Sequence, residues 1–198
     1  MIKYSERIEE TEVLGPGKRA VLWVFGCCFD CKGCIAKNFR TGDYSVASPK
    51  ELADWYLTTS SDGLTISGGE PMLQAEALSE MIMEIKKERD TGIIVYTGFT
   101  YEELLKKPEC KNFLNCIDLL IDGRYIEEEN NNEPYRGSAN QQIIPLTDRY
   151  KGRINSYYLS SKGRPIEIRA DKEKTLMIGV PAKDQAVIWE NIKKLGKK

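Results

Sequence analysis

Apolar runs alternate with segments of helical periodicity along the first two thirds of the chain. Almost every position in these runs is apolar, which predicts buried β-strands at 19–26, 63–67, 92–98 and 116–123. Helices are predicted between them at 48–59, 71–89 and 100–107. Apolar strands that alternate with helices are typical of a parallel sheet or barrel that is covered on both faces.

Local capping signals support the three helices. Ser48 precedes Pro49 at a helix start, and Thr100 with Glu103 forms a potential capping box. The middle helix carries an apolar stripe at four-residue spacing, formed by Leu73, Ala77, Met81 and Ile85.

The pattern changes after residue 125. Segment 126–142 is polar and lacks periodicity, so we expect a long loop. Beyond it, shorter strands are predicted at 153–160, 164–170 and 174–180, followed by a helix at 184–195.

Charge and apolar patterning argue against nucleic-acid binding, a membrane helix and a secretory signal. Among 198 residues, 29 are basic and 30 are acidic, and they are spread along the chain, so no concentrated basic face for nucleic acid is expected. No apolar run approaches the roughly 20 residues of a membrane helix. The N-terminus, MIKYSERIEETEV, is charged where a secretory signal would be apolar. We therefore expect a cytoplasmic protein, in which clustered cysteines indicate metal binding or catalysis rather than disulfides.

The candidate chemistry is concentrated in GCCFDCKGC, residues 26–34, which holds four of the six cysteines of a chain without histidine. Cys27, Cys31 and Cys34 would share one face of a helix, but the surrounding glycines and charges disfavour a helix. A structural zinc site needs four ligands. A ferredoxin pattern could begin at Cys28, but it ends at Asn38, where a fourth cysteine is required. Three cysteines can still hold a four-iron cluster if one iron stays open to a substrate.

Two motifs together resemble the radical S-adenosylmethionine (SAM) family. The spacing C-x3-C-x2-C at Cys27, Cys31 and Cys34 resembles its cluster loop, and LTISGGEP at 64–71 resembles its glycine-rich SAM motif. The resemblance implies a [4Fe-4S] cluster on these three cysteines, with SAM on the fourth iron. It also implies reductive cleavage of SAM to a 5′-deoxyadenosyl radical that abstracts a hydrogen atom.

Further stretches resemble the activating enzymes of glycyl radical enzymes, in particular those that serve anaerobic ribonucleotide reductase. They are LGPGKR (14–19), VYTGFTYEEL (95–104), DLLIDGRY (118–125) and RGSANQQII (136–144). The resemblance implies a single radical SAM domain over 1–198, built as a partial, open (β/α) barrel. Residues 1–145 form the matching core, and 146–198 form an extension of extra strands and a helix that completes or caps it.

The same resemblance implies a set of ligand-binding residues at the strand ends. They are Gly33 and Ile35 near the adenine, Ser67, Gly68, Gly69 and Glu70 in the glycine-rich turn, and Thr97, Gly98, Asp122 and Arg124 at the ends of the third and fourth strands. Arg124 would meet the carboxylate of SAM, because a guanidinium matches that geometry. For Arg136, Ser138 and Asn140 only proximity is implied. Cys28 is interpreted as a spare thiol, and Cys110 and Cys116 as structural residues.

The resemblance therefore implies a radical SAM oxidoreductase that activates a glycyl radical enzyme, with a reductant such as flavodoxin or ferredoxin. One alternative is a radical SAM enzyme that modifies a ribosomal peptide or a small molecule, which the unmatched extension favours. A second is an iron–sulfur electron-transfer protein, which the SGGEP motif disfavours.

Overall fold

The computed structural model describes residues 1–154, 164–170, 174–183, 185, 187–189 and 191. The strands in these segments are β1 (Ile2–Thr11), β2 (Arg19–Val24), β3 (Ser45–Ala47), β4 (Gly63–Gly68), β5 (Gly92–Tyr96), β6 (Leu119–Asp122), β7 (Gln142–Pro145), β8 (Ile166–Ala170) and β9 (Thr175–Gly179). The α-helices with defined bounds are α1 (Asn38–Thr41), α2 (Pro49–Thr58), α3 (Ala75–Glu88), α4 (Tyr101–Leu105) and α5 (Lys111–Leu114). No helix in the described segments combines the length and apolarity needed to span a bilayer.

The protein is a mixed α/β structure built on a seven-stranded sheet of order β3-β1-β2-β4-β5-β6-β7. Strands β2, β4, β5 and β6 are parallel, as predicted. Strands β1, β3 and β7 are antiparallel to their neighbours. The carboxyl ends of the four parallel strands therefore meet at one edge of the sheet. The partial barrel itself stays a prediction.

The parallel strands are buried because both of their faces are covered. Ala20, Leu22 and Val24 of β2 pack in a core with α2 and α3 on one face. Val21 and Trp23, which alternate with them, lie in a second cluster on the opposite face. This alternation explains why the parallel strands read as continuous apolar runs.

The helix starts follow the predicted caps. Ser48 and Glu51 form a capping box at the start of α2, and Thr100 and Glu103 form another at α4. The helix predicted from residue 71 instead begins with a 3-10 turn, Pro71–Gln74, before α3. A 3-10 turn has three residues per turn, so Leu73 falls out of line with the apolar stripe predicted for the helix. Leu73 is accordingly 54% exposed.

Several elements differ from the predictions. Strands β1, β3 and β7 were not predicted, and β7 begins at the end of the segment expected to be a loop. In the extension, β8 and β9 confirm the strands expected at 164–170 and 174–180, and they pair as a separate antiparallel hairpin. The strand expected at 153–160 lies almost entirely outside the described residues, although positions 153 and 154 are helical. The described positions at 183, 185, 187–189 and 191 are helical, and the rest of the predicted final helix lies outside the description.

Candidate metal centre

A cavity of about 140 Å³ lies at the carboxyl edge of the parallel strands. The segments that follow β2, β4, β5 and β6 all contribute to its wall. Nine of the predicted site residues line it: Cys27, Cys31, Cys34, Ser67, Gly68, Gly69, Glu70, Thr97 and Gly98. The fold thus brings the cysteine loop and the glycine-rich turn, which are far apart in sequence, into one site.

The cysteine loop is fixed by contacts of its own backbone. The Phe29 N–H donates to Cys27 Sγ at 3.4 Å, and the Cys34 N–H donates to the Cys31 carbonyl at 3.2 Å. Gly33 has a φ of +71°, and a Cβ there would lie 2.6 Å from a Glu127 carboxylate oxygen. Glycine at this position therefore satisfies both the turn and the close approach of the later loop.

All four loop cysteines are free thiols, and Cys28 is the exposed one. Burial raises the pKa of Cys27 and of Cys34, so both thiols stay protonated to higher pH than an exposed cysteine. A metal must therefore displace protons from them to bind. Their placement around one cavity, each partly accessible, fits a group that takes thiolates from several sides.

The donor set is compatible with a four-iron cluster. In the described part of the chain, no three cysteine or carboxylate side chains converge closely enough to hold one metal ion. In a four-iron cluster each thiolate binds a different iron, so the thiols need not converge on one point. Three cysteines around a shared cavity are compatible with that requirement.

The glycine-rich turn presses directly against the cysteine loop. The Glu70 N–H donates to the Gly26 carbonyl at 2.7 Å, and the Gly69 N–H donates to the Val24 carbonyl at 2.8 Å. A Cβ on Gly69 would lie 2.0 Å from the Gly26 carbonyl oxygen, and one on Gly68 would lie 2.6 Å from the Val24 backbone. These glycines are therefore required for the packing of two main chains, whatever ligand binds beside them.

Glu70 joins the ends of β4 and β5. Its residue is 1% exposed, and its carboxylate accepts from the Met72 N–H at 2.9 Å, the Thr97 hydroxyl at 2.8 Å and the Gly98 N–H at 2.7 Å. Burial raises the pKa of Glu70, and these three hydrogen bonds oppose the rise. The side chain thus sets the positions of Thr97 and Gly98 in the cavity wall.

Four predicted residues lie outside the cavity lining: Gly33, Ile35, Asp122 and Arg124. Asp122 is buried, and its two carboxylate oxygens accept from the backbone N–H groups of Tyr101 and Gln142. Arg124 places its guanidinium carbon 4.7 Å from the Phe29 ring centroid. Ile35 is 43% exposed.

Other residues in the cavity wall were not predicted. They are Phe29, Asp30, Ala36, Lys37, Arg40, Tyr96, Gly123, Tyr125 and Gln141. Most of them are adjacent in sequence to a predicted site residue, and this adjacency could have been used to predict them. Gln141 comes from the segment of Arg136, Ser138 and Asn140, for which only proximity was implied, and these three do not line the cavity. Cys110 and Cys116 also lie elsewhere, in or against the helix-side core.

Comparison with known proteins identifies relatives for this arrangement. A family model described as a 4Fe-4S single cluster domain matches residues 13–144. The anaerobic ribonucleoside-triphosphate reductase-activating protein of Enterobacteria phage T4 is 34% identical over 143 residues, which cover 69% of this chain and 89% of that protein. The protein of the same name from Vibrio cholerae is 35% identical over 145 residues, with 68% and 92% coverage. That of Escherichia coli K12 is 27% identical over 144 residues, with 68% and 92% coverage.

Proposed function

Because the chain belongs to the 4Fe-4S single-cluster family, together with the anaerobic ribonucleoside-triphosphate reductase-activating proteins, we propose that it is a radical SAM activating enzyme. Its substrate would be a glycine residue of an anaerobic ribonucleotide reductase. The observation that carries this proposal is the single cavity lined by three cysteines, the SGGEP turn and the end of β5.

Cys27, Cys31 and Cys34 would hold the cluster. Three protein ligands leave one iron open, and this vacancy is what separates a SAM-cleaving centre from a closed electron-transfer cluster. When bound, the reduced cluster supplies one electron that splits the SAM sulfonium and yields a 5′-deoxyadenosyl radical for hydrogen abstraction. Cys28, exposed at the loop surface, has no place in this ligand set.

The strand-end residues would hold SAM and exclude water. Ser67, Gly68 and Gly69 line the cavity, and the absence of side chains at Gly68 and Gly69 lets the two loops approach. Glu70 would act mainly by positioning, since its oxygens already accept three hydrogen bonds. The contacts of Asp122 favour the same kind of role, between β7 and the start of α4. Arg124 lies over Phe29 and places its guanidinium 3.9 Å from a Glu103 carboxylate oxygen, so it would have to leave these contacts to reach the carboxylate of SAM.

The reaction requires a partner segment to place one C–H bond next to the cavity. Selectivity in such a reaction comes from positioning, because the radical itself is reactive towards many C–H bonds. The names of the relatives support a reductase as that partner.

The test uses protein reconstituted with iron and sulfide under anaerobic conditions. After reduction with dithionite and addition of SAM, 5′-deoxyadenosine and methionine should form in amounts well above an unreduced sample. Cys27→Ala, Cys31→Ala and Cys34→Ala should each lose the four-iron spectrum, whereas the matched control Cys28→Ala should keep it. An intact, reduced cluster that leaves SAM uncleaved would indicate an electron-transfer protein instead.

A second measurement tests the partner. Addition of the anaerobic ribonucleotide reductase from the same organism should produce a glycyl radical in its electron paramagnetic resonance spectrum. If SAM is cleaved but no such radical forms, the SAM chemistry stands and the substrate is a different one, as expected for a peptide- or small-molecule-modifying enzyme.

A further inference from the structure

A second, larger cavity lies beside α4 and α5, outside the candidate metal centre. It is a groove of about 580 Å³. Its apolar part includes Leu104, Leu105 and Leu114, and Leu105 is 63% exposed. We call it the lysine groove, because Lys106, Lys107 and Lys111 also line it, while no aspartate or glutamate among the described residues does.

The charge of the lysine groove is only partly neutralised. Lys107 lies 3.6 Å from Glu109, and both side chains are exposed enough for this pair to be weak. Neither Lys106 nor Lys111 has a carboxylate oxygen within 4.0 Å of its ammonium group among the described residues. A groove lined by apolar side chains and by lysines is complementary to a protein surface that combines apolar and acidic side chains.

Aromatic contacts connect the lysine groove to the cysteine loop. The Lys107 ammonium lies 5.1 Å from the Phe99 ring centroid, and Phe99 meets Phe29 edge-on with 4.8 Å between centroids. Phe29 lines the candidate metal centre, and its N–H donates to Cys27 Sγ. The lysine groove is thus joined to a proposed cluster ligand by a short series of packed groups.

We propose that the lysine groove docks an acidic one-electron carrier protein of the flavodoxin class, and that electrons reach the cluster past Phe99 and Phe29. This proposal rests on the proposed function, which requires one electron for each SAM cleaved. In the transfer, the anionic flavin hydroquinone loses one electron and becomes the neutral semiquinone, and the [4Fe-4S]²⁺ cluster becomes [4Fe-4S]⁺. No bond forms or breaks and no proton moves in this step.

The experiment compares the double variant Lys106→Glu/Lys111→Glu with wild type and with Lys50→Glu. Lys50 is an exposed lysine on α2, outside the lysine groove, and serves as the matched control. Each protein is reconstituted, its cluster content is confirmed by absorbance, and its reduction by flavodoxin hydroquinone is followed by stopped flow without SAM. We expect the second-order rate constant to fall about tenfold or more in the double variant and to lose most of its dependence on salt, as for steered association. Lys50→Glu should match wild type.

Two further readouts separate docking from other causes. Reduction by photoreduced deazaflavin, a small molecule, should proceed at the same rate in all three proteins. Carbodiimide cross-linking of flavodoxin to the wild type should join its carboxylates to Lys106, Lys107 or Lys111. Unchanged flavodoxin kinetics in the double variant, or cross-links confined to other lysines, would overturn the proposal. Because no SAM is present, failure here is distinct from failure of SAM cleavage.

Discussion

Arg164, in the extension, fastens the loop that borders the candidate metal centre. Arg164 is only 5% exposed. Its guanidinium donates to the carbonyls of Glu133 at 2.7 Å, Pro181 at 2.9 Å, Arg136 at 2.5 Å and Gly137 at 3.3 Å. One side chain therefore joins the described part of the extension to residues 133–137.

The fastened loop leads directly to the cavity wall. The Gly137 and Ser138 N–H groups both donate to Gln141 Oε1, and Gln141 Nε2 donates to the Gly123 carbonyl. Gln141 and Gly123 line the cavity. Release of the loop at Arg164 should therefore loosen the position of Gln141.

Arg164→Met removes these four hydrogen bonds while keeping a long apolar side chain. A hydrogen bond to a charged group contributes about 1.5–3 kcal/mol, but the four bonds share one side chain and water can replace some of them, so we expect a total loss of about 2–4 kcal/mol. At about 1.4 kcal/mol per factor of ten, this corresponds to roughly 30-fold to 700-fold faster opening of the loop.

The assay is amide hydrogen exchange followed by mass spectrometry on peptides that cover 133–141. Arg169→Met is the matched control, because Arg169 is an arginine of β8 with a 40% exposed side chain whose partners, Glu167 and the Glu10 carbonyl, lie outside 133–141. It should change the exchange of 133–141 by less than about 1 kcal/mol. Exchange of this loop at the wild-type rate in folded Arg164→Met would refute the role given to Arg164.

Three more predictions concern the glycine-rich turn, the buried Arg19 and the loop thiols. Gly69→Ala should abolish cluster loading, because the added Cβ would lie 2.0 Å from the Gly26 carbonyl oxygen. In Gly26→Ala the added Cβ would have no described atom within 4 Å, so this control should cost only about 1–2 kcal/mol of backbone strain and keep its iron and sulfide after reconstitution. Arg19→Met should lower the free energy of unfolding, measured by urea titration, by about 3–5 kcal/mol. The buried Arg19 guanidinium donates hydrogen bonds to the hydroxyls of Thr65 and Tyr150 and to the carbonyls of Leu64 and Gly92, so a loss below about 1 kcal/mol would contradict the reasoning. Burial raises the pKa of Cys27 and Cys34, so these thiols must release protons when iron binds. The apparent affinity for iron should therefore rise with pH from about 7 to about 9, and an affinity independent of pH would show that these thiols do not ionise on binding.

The central strands and two helix starts were predictable because their signals are local. A strand buried on both faces needs apolar residues throughout, and a capping box needs only two residues three positions apart. Strand β1 carries neither signal. Most of its side chains are partly exposed or exposed, and its register is broken by two irregularities, so charged residues alternate without a clear period. It forms because it pairs with β2, which no local pattern reveals.

The candidate site divides in the same way. The cysteines and the SGGEP turn were predictable because residues that follow successive parallel strands must meet at one edge of the sheet. It was not predictable which polar side chains at the strand ends would line the cavity and which would bond the backbone. Asp122 ends β6 and Thr97 directly follows β5, so their positions are similar, yet the backbone N–H groups of Tyr101 and Gln142 occupy the oxygens of Asp122. Only the packing of β7 and α4 against β6 decides this.

The extension changes what the shared core can present to a partner. The relatives match this chain over about nine tenths of their own length, but the matches cover only about two thirds of it. Ile178 of β9 packs with Val21 and Trp23 on the sheet face opposite α2 and α3, and Thr11 of β1 donates to Glu167 of β8. Part of that face is therefore covered by the hairpin β8–β9. Any segment that approaches the cavity across it must pass beside the hairpin, so the surface that selects a partner includes residues that lie outside the match to these relatives.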